Sequence, residues 1–213
     1  MKIAVIGATG KAGSLIAEEA LRRGHEVTAL VRSAGKVQND KLNVVEKDAT
    51  ELTTEDIKGY DVVVNGFAAP QGQEELHVTL GRHLIDILSG APDTRLIVVG
   101  GAGSLYVDDE LMTQLYHTPD FPDAYKPTAT NMGRNLEALK QSSGIRWTYV
   151  SPGAFFDVEG PRTGSYTLGG EKMIANSEGN SYSSYADYAI AIVDEAEKAA
   201  HVNERISVVT EAK

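Results

Sequence analysis

The first thirteen residues read MKIAVIGATGKAG and restrict this chain more than any other stretch. An apolar run, Ile3, Ala4, Val5 and Ile6, breaks on Gly7, and glycines recur at Gly10 and Gly13 just as a helical pattern begins. Strand, glycine turn and helix, in that order, turn a glycine motif into a nucleotide-site hypothesis. Gly7 lets the chain turn sharply off the strand, Gly10 keeps no side chain between the backbone and a pyrophosphate, and Gly13 lets the helix lie close to the sheet. Thr9, Lys11 and Ala12 complete the turn. Free N–H groups at the start of the helix, around Lys11 and Ala12, face an anion with the favourable end of the helix dipole. The spacing Gly-x-x-Gly-x-x-Gly is one residue longer than the Gly-x-Gly-x-x-Gly fingerprint. It points to a dinucleotide, and the competing reading is a βα turn whose glycines serve close packing alone.

The remainder of the chain fits a βα repeat. The first helix is expected over 11–23, with Ala12, Leu15, Ile16 and Ala20 inward and Gly24 as its stop. Strands are expected at 27–31, 43–46, 61–65, 95–99 and 146–150, and helices at 54–58, 72–89 and 128–143. The strands are too continuously apolar for a sheet with one wet face. A doubly wound parallel sheet of Rossmann type, in a single domain over 1–213, is the consistent solution. The stretch 105–127, rich in Tyr, Asp and Pro, reads as a flap on the substrate side. Residues 151–183 read as a C-terminal cover, with a small strand at 164–168 over the pocket. Ser184 caps a last helix, and 205–210 is a closing strand, expected near an edge.

Composition excludes several functions. The 213 residues contain no cysteine, so disulfides, thiolate metal sites and cysteine nucleophiles are ruled out. No His/carboxylate cluster has metal-ligand spacing, and no metal is expected. The net charge of −10 argues against general nucleic-acid binding. No stretch approaches membrane-spanning length, so a soluble, cytoplasmic protein is expected, with its oligomeric state open.

Ligand contacts can be assigned by position. The residue ending the second strand faces the adenosine ribose, where an acid suits a free 2′-hydroxyl and an arginine suits a 2′-phosphate. Arg32 and Ser33 stand there, which favours NADP over NAD. Asp48 and Ala49 follow the third strand, where Asp48 either accepts from the adenine amino group or simply forms a turn. Gly66, Phe67 and Ala68 follow the fourth strand and pass beneath the ribose. Pro152 and Gly153 follow the sixth, at the nicotinamide end.

These pieces resemble the NmrA-like branch of the atypical short-chain dehydrogenase/reductases, and within it small NAD(P)H–flavin reductases of the biliverdin IXβ reductase type. The resemblance is carried by GATGKAG at 7–13, EVTALVRS at 26–33, the Asp48 turn, GGAGS at 100–104, SPGAFF at 151–156 and GSYT at 164–167. It covers nearly the whole chain and is specific in the N-terminal half. Ordinary members of the wider family carry Tyr-x-x-x-Lys at the start of the helix after the fifth strand, where lysine lowers the tyrosine pKa for proton transfer. Here Ala129 stands four residues after Tyr125.

Hydride transfer to a flavin or quinone tolerates that loss, because the ring delocalises charge and water supplies the proton. The protein then contributes orientation. The resemblance therefore implies an NAD(P)H-dependent reductase of FMN, FAD or a similarly conjugated small-molecule acceptor. Ser104 and Tyr125 are the candidate catalytic residues, with His117 and Tyr106 as weaker donors and Phe67 and Phe155 as pocket walls. An NADP(H)-binding redox sensor without turnover is the alternative. An isomerase or epimerase comes third and lacks an identifiable acid/base.

Overall fold

The computed structural model describes residues 1–212. In chain order the regular elements are β1 (Lys2–Ile6), α1 (Lys11–Arg22), β2 (Glu26–Val31), β3 (Asn43–Glu46), α2 (Thr54–Ile57), β4 (Val62–Asn65), α3 (Leu76–Ser89) and β5 (Arg95–Val99). Then follow α4 (Lys126–Gln141), β6 (Arg146–Ser151), β7 (Phe155–Asp157), β8 (Tyr166–Gly169), β9 (Tyr182–Ser184), α5 (Tyr185–Lys198) and β10 (Glu204–Thr210). The main sheet has the order β3-β2-β1-β4-β5-β6-β10-β8 and is parallel apart from β8. It is the doubly wound α/β arrangement expected from the pattern.

The apolar runs divide between the two faces by strand alternation. Ile3 and Val5 of β1, Val62 and Val64 of β4 and Val150 of β6 point to one face, under Ile16 and Ala20 of α1 and Tyr188 and Ile192 of α5. Ala4, Ile6, Val63, Leu96, Trp147 and Tyr149 point to the other, under Leu80, Leu84 and Leu88 of α3 and Leu136 and Leu139 of α4. With both faces covered, the central strands have no wet side, which explains their unbroken apolar sequence. β3 is the exception: it is exposed along its length, because it forms one edge of the sheet.

Four expectations need correction. The helix expected over 72–89 starts at Leu76, because Gly72 adopts φ +83 and the preceding residues form turns. The helix expected from 128 starts at Lys126, so Pro127 lies in its first turn, where a missing N–H costs no hydrogen bond, and not in the flap. The small strand expected at 164–168 forms at Tyr166–Gly169 and belongs to the main sheet. Tyr166–Gly169 pairs antiparallel with β10 as the far edge of the main sheet. Consequently β10 is an interior strand, parallel to β6 on one side and antiparallel to β8 on the other.

Ser184 Oγ accepts from the Asp187 N–H and caps α5. The carboxylate of Asp187 does not return to the cap. It is fully buried and accepts from the Thr163 N–H and hydroxyl and from the Gly164 N–H, fastening the segment before β8 to α5.

Candidate functional site

The chain runs outward through β1, β2 and β3, then returns to β4 on the other side of β1. Ligands of such sheets bind at this switch point, outside the carboxyl ends of the strands. Three glycines there pack against one another. Gly7 has φ +74, and a Cβ on it would lie 2.7 Å from the Gly66 carbonyl oxygen. A Cβ on Gly13 would lie 2.2 Å from the Gly7 oxygen, and one on Gly66 would lie 3.0 Å from the Ile6 oxygen and 3.4 Å from the Gly13 Cα. These contacts press the start of α1 onto β1 and β4.

Gly10 differs. A Cβ there would meet only the Gly7 oxygen, at 3.2 Å, so the position opens outward. Gly10 is also the N-cap of α1 and provides no side-chain cap. The Gly10 N–H is used by the Gly7 carbonyl, and the Ser14 N–H by the Gly10 carbonyl. The N–H groups of Lys11, Ala12 and Gly13 precede that helical bond and have no intrahelical acceptor. The first turn holds no acid. An exposed, uncapped helix start beneath a residue without a side chain fits a pyrophosphate.

At the neighbouring strand ends Arg32 is exposed and forms no ion pair among the described residues, while Ser33 is half-buried. Asp48 caps the 3-10 turn that begins at Ala49: its Oδ1 accepts from the Thr50 N–H and hydroxyl. These bonds, with Arg32 adding its charge, hold the Asp48 carboxyl below the usual range. Beyond β4, Phe67 is half-buried and Ala68 exposed. Asn65, buried at the end of β4, accepts from the Phe67 N–H and sets the course of this loop. His77, only 8 % exposed, accepts from the Ala69 N–H and meets Phe67 edge-on at 5.7 Å between ring centres. Burial lowers its pKa from 6.5.

On the other side of the switch point, the turn 100–104 leaves β5. A Cβ on Gly103 would stand 2.6 Å from the Ala129 methyl and 3.2 Å from the Tyr116 ring. Tyr149 accepts from the Gly101 N–H and donates to the Met132 carbonyl, and burial pushes its phenol up to about 12. Tyr116 donates to Gln114, and burial raises it too. Ser104 is only 3 % exposed, and its Oγ accepts from Arg205 Nη1 at 3.0 Å. The fully buried Arg205 side chain also donates to the Ser104 carbonyl and pairs with Glu171. Tyr125 lies on the opposite extreme at 66 % exposed, and Tyr106 is tied by its backbone to Glu171 and Met173. Thus Ser104 joins a buried polar cluster, while Tyr125 stands at the rim.

Pro152 and Gly153 are both buried. The Gly153 N–H donates to Ser183 Oγ, and a Cβ on Gly153 would lie 2.7 Å from the Tyr182 nitrogen, so β9 packs directly on this turn. Beside it a groove of about 460 Å³ is lined by Ala154, Phe155, Asn180, Ser181, Tyr182 and Ala212. Phe155 is 63 % exposed and lies 5.8 Å from Tyr182 between ring centres.

Sequence reasoning missed Asn65, His77 and Arg205. Asn65 leaves a faint signal as the polar end of the run VVVN, and Arg205 as a cation opening an apolar strand. His77 leaves none.

A family model of NAD(P)H-binding proteins matches residues 7–208. The uncharacterised protein YwnB of Bacillus subtilis is 58 % identical over the full length of both chains. A Streptococcus pneumoniae crystal structure, provisionally called an NADH-flavin reductase, is 46 % identical with TM-score 0.94, covering 99 % of this chain and all of that one. A Bacteroides thetaiotaomicron structure, provisionally called an epimerase, is 34 % identical with TM-score 0.88, covering 100 % of this chain and 99 % of the other. The match runs from the glycine elbow into the last strand, across both halves of the sheet, and this chain belongs to the NAD(P)H-binding family.

Proposed function

We propose that this protein is a reductase that uses NADPH in preference to NADH and passes reducing equivalents to a flavin, quinone or similarly conjugated acceptor. The reduced nicotinamide supplies a hydride when bound. The first-turn N–H groups at Lys11, Ala12 and Gly13 hold the pyrophosphate, with Thr9 beside them. Arg32 and Ser33 receive the 2′-phosphate, and Asp48 and Ala49 border the adenine. Gly66, Phe67 and Ala68 support the ribose on the nicotinamide side, and the buried Pro152–Gly153 turn forms the back wall there.

The observation that carries the acceptor class is the poor acidity of the phenols touching the turn 100–104. Tyr116 and Tyr149 are both raised by burial, and both spend their hydroxyl protons on other protein groups. Position 129, where a lysine would lower a phenol's pKa, is a buried alanine packed on Gly103. Such a site is ill suited to protonating a simple carbonyl but sufficient to hold a ring that delocalises charge. Phe155, exposed on the groove beside Gly153, gives that ring a face to stack on. Ser104, held by Arg205 in a buried cluster, sets the turn 100–104 that borders the acceptor, and Tyr125 lies at the entrance.

The test is NADPH oxidation, followed by absorbance, on addition of FMN, riboflavin or a quinone. Saturable turnover supports the reading. Tight NADPH binding with no turnover on any of them overturns it in favour of an NADP(H) sensor.

A further inference from the structure

A second groove, of about 470 Å³, lies between the 3-10 turn Leu115–His117 and α4. Its size falls in the range of small-molecule sites. Lys126, Thr130 and Arg134 line it at successive four-residue steps of α4, so all three project along one stripe. Tyr116 and His117 form the facing wall, their rings edge-to-face at 4.4 Å.

The charge in this groove runs against that of the molecule. The chain carries −10, yet the lining here holds two cations, Lys126 and Arg134, against one acid, Glu137. Among the described residues Arg134 forms no ion pair, a state it shares with Arg32, Arg82 and Arg146, and of these four it alone lines this groove. Two acids qualify the balance. Asp123 holds Lys126 at 2.7 Å, and Glu137 at the groove's end lies 3.7 Å from Lys140. The guanidinium of Arg134 remains available, and its planar fork of donors matches the oxygens of a phosphate.

The groove also backs onto the proposed reaction side. A Cβ on Gly133, part of its floor, would lie 3.4 Å from the Tyr116 ring and 3.5 Å from Ser104 Cβ. The turn carrying Ser104 leaves β5, which lies two strands along the sheet from β1 and its glycine elbow.

We propose that this groove is an anion subsite that binds the phosphate monoester of a phosphorylated acceptor such as FMN, with Arg134 as its principal contact and Lys126 and Thr130 in support. The proposal rests on the flavin-acceptor reading for the identity of the ligand. It makes Arg134 a specificity residue that distinguishes phosphorylated from unphosphorylated flavin.

FMN and riboflavin differ only in that phosphate, and quenching of their own fluorescence reports binding without turnover. The wild-type protein is expected to bind FMN about tenfold more tightly than riboflavin at low salt, with inorganic phosphate competing against FMN alone. Arg134→Ala is expected to close the gap by weakening FMN, leaving riboflavin and NADPH affinities unchanged. Equal affinities in the wild type, or a gap that survives Arg134→Ala, overturn the subsite. Because Arg134 is exposed, the variant should fold, which circular dichroism checks. The two readings fail separately. Reduction of both flavins with equal affinities removes the subsite and keeps the reductase. An Arg134-dependent gap without NADPH oxidation keeps the subsite and removes the reductase.

Discussion

Gly10 and Gly13, three residues apart, should respond in opposite ways to an added side chain. At Gly10 the backbone has φ −84 and ψ 171, which valine accepts, and its Cβ would point outward. Gly10→Val should leave the melting temperature nearly unchanged while abolishing NADPH binding in calorimetry; retained binding would contradict the pyrophosphate path. At Gly13 even alanine meets the Gly7 carbonyl at 2.2 Å, so Gly13→Ala should cost about 1–3 kcal/mol of stability by denaturant melt. Arg32 tests cofactor choice. Arg32→Glu removes an exposed cation and adds repulsion, so NADPH affinity should fall more than about tenfold while NADH affinity changes little. An unchanged ratio would remove the preference. His77 tests the loop beneath the ribose. Its pKa is lowered in the fold by burial, with Glu74 opposing, so below pH 6.5 the unfolded chain binds the additional proton. Stability should rise with pH up to about 6.5 and be lost as pH falls below it. His77→Gln should flatten the dependence of melting temperature on pH in that window, and an equal slope in both proteins would assign the effect elsewhere.

Helices and strands were legible where a local period sets them. The stripe Leu80, Leu84 and Leu88 in α3 and the run Ile3–Ile6 in β1 needed no tertiary knowledge. The elbow was legible for the same reason: Gly7, Gly10 and Gly13 belong to one turn, although Gly66, which packs on two of them, comes from the loop after β4. What was hidden depends on distant partners. Arg205 looks like the polar start of an edge strand, but Ser104 lies 101 residues before it and Glu171 34 residues before it. Likewise Tyr166–Gly169 looks like a short cover, because only its pairing with β10 makes it part of the sheet. Glu195 on α5 is a further element-scale case. Nearly closed off from solvent, it receives Arg95 Nη1 from β5 at 3.0 Å, Thr148 from β6, and the backbone and half-exposed ring of His201. Glu195→Gln leaves the Arg95 charge buried without its counter-ion, and the cost should be about 3–5 kcal/mol in a denaturant melt. A loss below 1 kcal/mol would mean that packing alone seats α5.

Across the whole molecule, the two halves of the sheet differ in how the protein uses their carboxyl ends. The β1–β2–β3 half ends in Gly10, Arg32 and Asp48, near the surface and readable from the chain. The β5–β6–β10 half is packed on by distant segments: Tyr116 on Gly103, β9 on Gly153, and the Glu171 carbonyl on the Tyr106 N–H. Binding at the open half should therefore stabilise without refolding. At a hundredfold excess over Kd, NADPH should add about 2.7 kcal/mol, which raises the melting temperature by roughly 5–10 °C in a domain of this size. No rise at any concentration would exclude the elbow as a nicotinamide nucleotide site.

The position of β10 between β6 and β8 carries a consequence for how the protein comes into being. During synthesis the elbow and its first six strands leave the ribosome well ahead of residue 205, whose guanidinium holds Ser104 and Glu171 together. The turn 100–104 therefore gains its buried arginine contact only once residue 205 is made, after all of β1–β6.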